Sequence, residues 1–212
     1  DSVHCPSFKT SFSNRIYSQF GEDGILLEVL NRLGDKNLDK WCVEFGARDG
    51  ISDSNTFNLI KNYNYKAVLI EGDKKYFKRL CKNFPQNDVI KINKLVDFSG
   101  KNKLDNLLKT TNISKNFDIL SIDIDGCDFY IFENLAEYRP KIICIEFNHL
   151  IPNSVEFVQK KSFDIKLRVK GDRVLHWYDK EQTSYKIDLR GEDRIWGLEE
   201  FSIQKPITRN YI

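Results

Sequence analysis

The 212-residue sequence contains no methionine, which is unusual at this length. It also has no apolar run near the ~18 residues that a membrane-crossing helix needs, so no membrane span is expected. Its first residues lack the apolar core of a secretory leader, and a cytoplasmic protein is expected. Cysteine is present but unpaired in pattern: Cys5, Cys42, Cys81, Cys127 and Cys144 are odd in number and contain no Cys-x-x-Cys. His4-Cys5 finds no second pair at zinc spacing. Cys42 and Cys144 sit in apolar runs and read as small core side chains in a reducing compartment. Charge of one sign is missing too. Lys and Arg number 33 against 31 Asp and Glu, spread along the chain, so no basic stripe is visible in the linear sequence and nucleic acid is not an expected partner. Neither Gly-x-Gly-x-x-Gly nor a Walker Gly-Lys-Ser/Thr occurs, which weakens dinucleotide oxidoreductase and nucleoside triphosphatase readings.

What is present is an alternation of helical and strand periods. Gly21 to Leu33 places Ile25, Leu26, Val29, Leu30 and Leu33 at helical spacing, closed by Gly34. Strands are predicted at Trp41–Phe45, Lys66–Ile70, Asp88–Val96, Phe117–Ile122 and Lys141–Ile145. Helices are predicted from near Ser54, around Tyr76, Phe77 and Leu80, around Leu104 to Leu108, and from Tyr130 to Leu135. Near-continuous apolar strands separated by helices argue for a parallel sheet covered on both faces. In such sheets ligands bind beyond the carboxyl ends of the strands.

Those ends are acidic. Glu44 lies late in the first strand, Glu71 closes the second, Asp123 and Asp125 follow the fourth, and Glu146 closes the fifth. The first strand runs into Gly46-Ala-Arg-Asp-Gly50, a turn in which glycine lets the backbone pass close to a neighbour or a ligand. An acid at the end of a second strand can accept hydrogen bonds from both hydroxyls of a ribose, so Glu71 points to a nucleotide-containing ligand. S-adenosylmethionine (SAM) is such a ligand and, having no pyrophosphate, needs no phosphate loop.

Tyr17-Ser-Gln-Phe-Gly-Glu-Asp-Gly24, Val43-Glu-Phe-Gly-Ala-Arg-Asp-Gly50 with Ser54-Asn-Thr56, Ile70-Glu-Gly-Asp73, Ser121-Ile-Asp-Ile-Asp-Gly-Cys-Asp128 and Cys144-Ile-Glu-Phe-Asn148 together resemble the FkbM-type SAM-dependent methyltransferases. The resemblance covers residues 15–158. It implies an α/β, Rossmann-like class I methyltransferase sheet with helices on both faces. It also implies transfer of a methyl group to a hydroxyl of a sugar, glycan or related polyhydroxylated molecule. Glu44 and Gly46 would line the methionine part of SAM, Glu71 would hold the ribose, and Gln19 and Asp23 would close over the cofactor. Arg48, Asn55, Asp97 and Asp123 complete the expected cofactor contacts. Local capping of the helix start by Ser18 or Asp23 is the competing account of Asp23.

A hydroxyl acceptor must lose a proton, either to a side-chain base or through a metal that lowers its pKa. Asp125, Glu146 and Asn148 form an oxygen-only set suited to Mg²⁺ or Mn²⁺, with Asp123 close by. Asp123, Asp125 and His149 are the candidate catalytic groups, His149 as the base. Asp128 as a helix cap and Asp125-Gly126 as a plain turn are the structural alternatives. Two further functions stay open: a SAM- or glycan-binding module without catalysis, and a nucleotide-dependent oxidoreductase.

Residues 1–158 are expected to form the SAM-binding core and 159–212 a β-rich segment that completes the sheet or shapes the acceptor site. Phe163–Val169, Arg173–Tyr178 and Tyr185–Leu189 alternate with period two around Gly171-Asp172 and Gly191-Glu192 turns, the pattern of antiparallel hairpins. The helix that the resemblance implies after the fifth strand has no matching period.

Overall fold

The computed structural model of the protein describes residues 15–124 and 128–145, and the backbone alone of two strands at 175–178 and 184–187. The chain divides into two compact units, Asp1–Glu146 and Phe147–Ile212.

The first unit holds a five-stranded, all-parallel sheet built from β1 (Trp41–Phe45), β2 (Lys66–Ile70), β3 (Val89–Ile92), β4 (Ile119–Ile122) and β5 (Ile142–Ile145). The strand order is β3-β2-β1-β4-β5, so the chain starts in the middle, builds outward to one edge, then crosses to the other. That is a Rossmann-like, doubly wound arrangement, and its switch point lies between β1 and β4. The helices are α1 (Glu22–Leu33), α2 (Phe57–Asn62), α3 (Lys74–Asn83), α4 (Leu104–Leu108) and α5 (Asp128–Glu133).

Side-chain parity sorts the core. Val43, Phe45, Val68, Ile70, Leu120 and Ile122 point to the face that α4 and α5 cover with Leu104, Leu107, Leu108 and Ile131. Cys42, Ala67, Leu69 and Ile119 point to the other, which α1, α2 and α3 cover with Leu26, Leu30, Leu59 and Leu80. A strand buried on both faces cannot alternate apolar with polar, which is why these strands read as apolar runs.

Local chemistry sets the helix limits. The Ser18 hydroxyl oxygen accepts the Gly21 and Asp23 N–H groups at 3.2 Å each, and α1 ends as the Gly34 N–H donates to the Leu30 carbonyl. Asp73 caps α3, its carboxylate accepting the Lys75 and Tyr76 N–H groups at 2.7 and 3.0 Å. The helix expected from Ser54 begins only at Phe57, because Ser54 and Thr56 spend their hydroxyls on Glu44. The third strand, expected to reach Val96, stops at Ile92. Asn93 leaves the ladder and donates its amide to the Glu71 carbonyl at 2.7 Å. In the second unit, β6 (Leu175–Tyr178) and β7 (Ser184–Ile187) pair antiparallel; β6 lies within the expected Arg173–Tyr178 segment, and β7 overlaps Tyr185–Leu189 but begins one residue before it. The Phe163–Val169 segment lies outside the described residues.

At the amino edge of the sheet a buried acid ties three strands together. The Asp118 carboxylate, wholly buried, accepts the Asp39 and Lys40 N–H groups at 3.1 and 2.9 Å and the Lys141 ammonium at 2.5 Å. Against the cost of burial, Lys141 and these amides hold its carboxyl below the usual range. Asp39, which accepts a short hydrogen bond from Ser114, is raised instead, chiefly by burial. A depressed carboxyl contributes stability that is fully present above its unfolded pKa and is lost as pH falls through the folded one. Asp118→Ala should therefore destabilise the domain by about 3 kcal/mol at neutral pH, since it strands a partly buried ammonium and two amides. Urea unfolding checks this, and the difference from wild type should narrow in acid.

Candidate functional site

The loop after β1 makes the carboxyl edge of the sheet. Gly46 adopts φ +74°, and a Cβ there would lie 1.9 Å from the Asp123 carbonyl oxygen. The end of β1 thus passes against the end of β4 at a distance that only glycine permits. Arg48 and Asp53 also take positive φ, 51° and 60°, as does Gly50. Backbone held this way in a side-chain-bearing residue costs of order 1 kcal/mol or more and persists only where surrounding contacts enforce it. Here they do. The Arg48 N–H donates to Glu71 Oε2 at 2.6 Å, and its guanidinium bonds Asp53 at 3.0 Å and lies 5.4 Å from the Tyr76 ring centroid.

Glu71 stands one residue beyond β2 and is buried. Its second oxygen accepts the Asp73 N–H, also at 2.6 Å. Burial raises its carboxyl above the ordinary value, opposed by these two amides and assisted by the Asp73 charge. Leu95, half exposed, rests on Gly72, where a Cβ would meet the leucine side chain at 2.2 Å.

Glu44 has a different job. Its side chain points to the α1–α3 face, where it is buried and accepts the Ser54 hydroxyl at 2.7 Å, the Thr56 hydroxyl at 2.6 Å and the Asn55 N–H at 2.9 Å. Burial raises its carboxyl while these donors pull it back. The acid fastens the loop leading into α2. Asn55 completes that tie, donating its side-chain amide to the Ser121 hydroxyl of β4 at 3.0 Å.

Asp23 is likewise wholly enclosed. Its carboxylate accepts the Tyr17 N–H and the Ser18 hydroxyl at 2.7 Å each, with further amides around it. In this structure it folds the segment before α1 onto the helix start. That segment runs beside the site loop through a bridge between Ser18 and Asp53, leaving Gln19 exposed there. Asp97 lies beyond β3, where its carboxylate accepts the Phe98 N–H and its own N–H meets the Asn102 carbonyl. Asp123 is exposed at the end of β4. Asp128 is the first residue of α5 rather than the residue before it, and accepts the Ile124 N–H at 2.8 Å.

The carboxyl ends of β1, β2 and β4 thus gather Gly46, Arg48, Asn55, Glu71 and Asp123, with Glu44 beneath them. Asp125, Glu146, Asn148 and His149 lie outside the described residues. Among the described residues no group of three or more His, Cys, Asp or Glu is arranged to hold a metal ion. Sequence reasoning did not single out Asn93 or Leu95 and read Tyr76 only as a helix residue. Their places at the site rest on partners distant in sequence, the Glu71 carbonyl, Gly72 and the Arg48 guanidinium, rather than on any local pattern. No protein-family model and no curated protein matches the chain.

Two glycines share a backbone angle but not a setting, and this separates strain from contact. Gly34 has φ +76° and open space, with no atom within 4 Å of where a Cβ would stand, whereas Gly46 meets the Asp123 carbonyl. Gly34→Ala should cost only backbone strain, about 1–3 kcal/mol, because φ 76° with ψ 141° is a conformation almost confined to glycine. Gly46→Ala should cost about 2 kcal/mol more, the penalty of forcing an atom into filled space. Equal urea midpoints for the two variants would show that the β1–β4 contact is looser than described.

Proposed function

We propose that the chain is a SAM-dependent O-methyltransferase acting on a hydroxyl of a sugar, glycan or related polyhydroxylated molecule, with a class I methyltransferase core. The observation that carries this reading is Glu71. A buried carboxylate, pinned by two backbone amides, stands at the end of the strand beside the switch-point strand of a β3-β2-β1-β4-β5 sheet. Its oxygens accept the Arg48 and Asp73 N–H groups, with the Gly72 amide also acting on the carboxylate, and a carboxylate's roughly four lone-pair sites are not exhausted by these donors. The residues therefore fit a ribose. The fixed donors also orient the acid before any ligand arrives, which limits the ordering cost of binding.

SAM supplies an electrophilic methyl carbon. The chain's part is to hold the cofactor and present the acceptor oxygen in line, where near-attack placement lowers the barrier. In this reading Glu71 holds the ribose, the Gly46 turn lines the methionine end, and Asp123 at the end of β4 faces the transfer region. Glu44, Asn55 and Asp23 act by holding the loops rather than by touching the cofactor. Removal of the acceptor proton is assigned to the region after β4 and β5, by His149 as base or by a divalent ion on Asp125, Glu146 and Asn148. Exhaustive chelation separates these two. Under the metal route EDTA abolishes transfer and Mg²⁺ or Mn²⁺ restores it, and under the base route turnover persists.

Calorimetry tests the cofactor assignment. Glu71→Ala should weaken SAM at least tenfold, since hydrogen bonds to a charged group contribute about 1.5–3 kcal/mol. Affinity should also fall as pH is lowered through the raised carboxyl pKa, because the protonated acid loses acceptor sites. The same shift has the opposite sign for the unliganded fold. A raised carboxyl contributes its stability below the unfolded pKa and loses it as pH rises through the folded one. Glu71→Gln should thus flatten both profiles. SAM affinity indifferent to Glu71 would sink the ribose assignment.

A further inference from the structure

Lys and Arg occur along the whole chain, but residues 74–82 hold five of them, and helix α3 places these five on one side. Its ten residues, Lys-Lys-Tyr-Phe-Lys-Arg-Leu-Cys-Lys-Asn, contain no acid. At 3.6 residues per turn, Lys74, Lys75, Lys78, Arg79 and Lys82 fall within an arc of about 140° along roughly 12 Å of helix. All five are exposed. Phe77 and Leu80 occupy the opposite side, packed into the core between α3 and the sheet. The cap acid Asp73 is engaged by the Lys75 and Tyr76 amides. The ion pairs among the described residues join other side chains and leave all five of these unneutralised. In a chain of net charge +2, this is a strong local asymmetry.

We infer that the outer face of α3 docks the protein on an anionic lipid membrane surface. Clusters of four to eight Lys and Arg on an amphipathic helix adsorb to acidic headgroups, each charge adding a modest, salt-sensitive increment. The character of the face favours lipid over other polyanions. Four of the five cations are lysines, mobile point charges that match laterally mobile headgroups. Asn83, the helix's amide side chain, is committed to the Asp49 carbonyl, and Tyr76 lies against Arg48 and Arg79. The helix therefore presents neither an amide to read adenine nor an open stacking ring, which leaves it only charged contacts to a nucleic acid, most of them from lysine. None of the exposed large hydrophobic side chains lies on α3, so the face lacks the apolar centre of a protein–protein interface. With its apolar side spent on the core, α3 cannot insert, and adsorption is peripheral and reversible. The absence of a membrane-crossing helix among the described residues is compatible with such attachment.

The test is co-sedimentation of the full chain with vesicles of phosphatidylcholine alone and of phosphatidylcholine mixed with phosphatidylserine, at low and high salt. The protein should partition only onto the mixed vesicles and be released by salt. Combined Lys75→Gln, Lys78→Gln, Arg79→Gln and Lys82→Gln should reduce partitioning by about fivefold per charge, on the order of several hundredfold together. A Lys78→Arg, Lys82→Arg variant should retain binding. So should a control that removes exposed charges elsewhere, Lys36→Gln, Lys101→Gln and Lys115→Gln. No binding to the mixed vesicles, or equal loss in the stripe and control variants, would overturn the inference. Tighter binding to a short DNA duplex than to vesicles at matched salt, lost in the stripe variant, would overturn it in favour of nucleic acid.

Discussion

The carboxyl edge of the sheet depends on one crossing, where the chain leaves β1. Gly46 slides past the Asp123 carbonyl with no room for a side chain, and two residues later the Arg48 amide reaches across to Glu71. These two contacts bind the ends of β1, β2 and β4 into one rigid rim. The strained backbone at Arg48 and Asp53 is tolerable because the rim holds it: the Arg48 amide and guanidinium are both engaged, the latter by Asp53 and the Tyr76 ring. A loop so constrained lets a ligand meet preset donors and acceptors instead of ordering them itself.

The three enclosed acids near that edge divide the labour. Glu44 and Asp23 are surrounded by donors from their own loops and act as internal fasteners. Glu71 is held by the Arg48 and Asp73 amides, with that of Gly72 beside them, which fixes it without exhausting its acceptors. Burial raises both Glu44 and Glu71, yet only Glu71 lies beyond its strand, where a ligand in such a sheet would stand. Asp118 performs the fastening role at the amino edge, far along the strands from any such ligand. The acids of the sheet are thus partitioned into structural ties and one poised acceptor by what surrounds them.

The elements were legible where period and burial agree. β1 and β2 carry apolar runs because both faces are covered, and α1 carries a helical period closed by Gly34; all three match their expected spans to within a residue. Legibility failed where side chains leave the ladder for a partner distant in sequence. Asn93 ends β3 early by turning to the Glu71 carbonyl, and Ser54 with Thr56 delays α2 by holding Glu44. Among candidate site residues, the strand-end position of Glu71 was readable from its place after an apolar run. The inward turn of Glu44 was not, because a carboxylate late in a strand looks the same whether it faces a cleft or three donors. The five basic residues among Lys74–Lys82 stand together in the letters, whereas their sharing one exposed face follows only from the 3.6-residue period of α3.

The central claim is that the rim between β1 and β2 is built around a ribose. A crystal structure of the protein with S-adenosylhomocysteine tests it most directly. Both ribose hydroxyls should lie within hydrogen-bonding distance of the Glu71 carboxylate, with the Arg48 and Asp73 amides still in place and the amino-acid end of the ligand along the Gly46 turn. A ligand seated elsewhere, or a Glu71 carboxylate that keeps its two amides while the ribose turns away, would contradict the account.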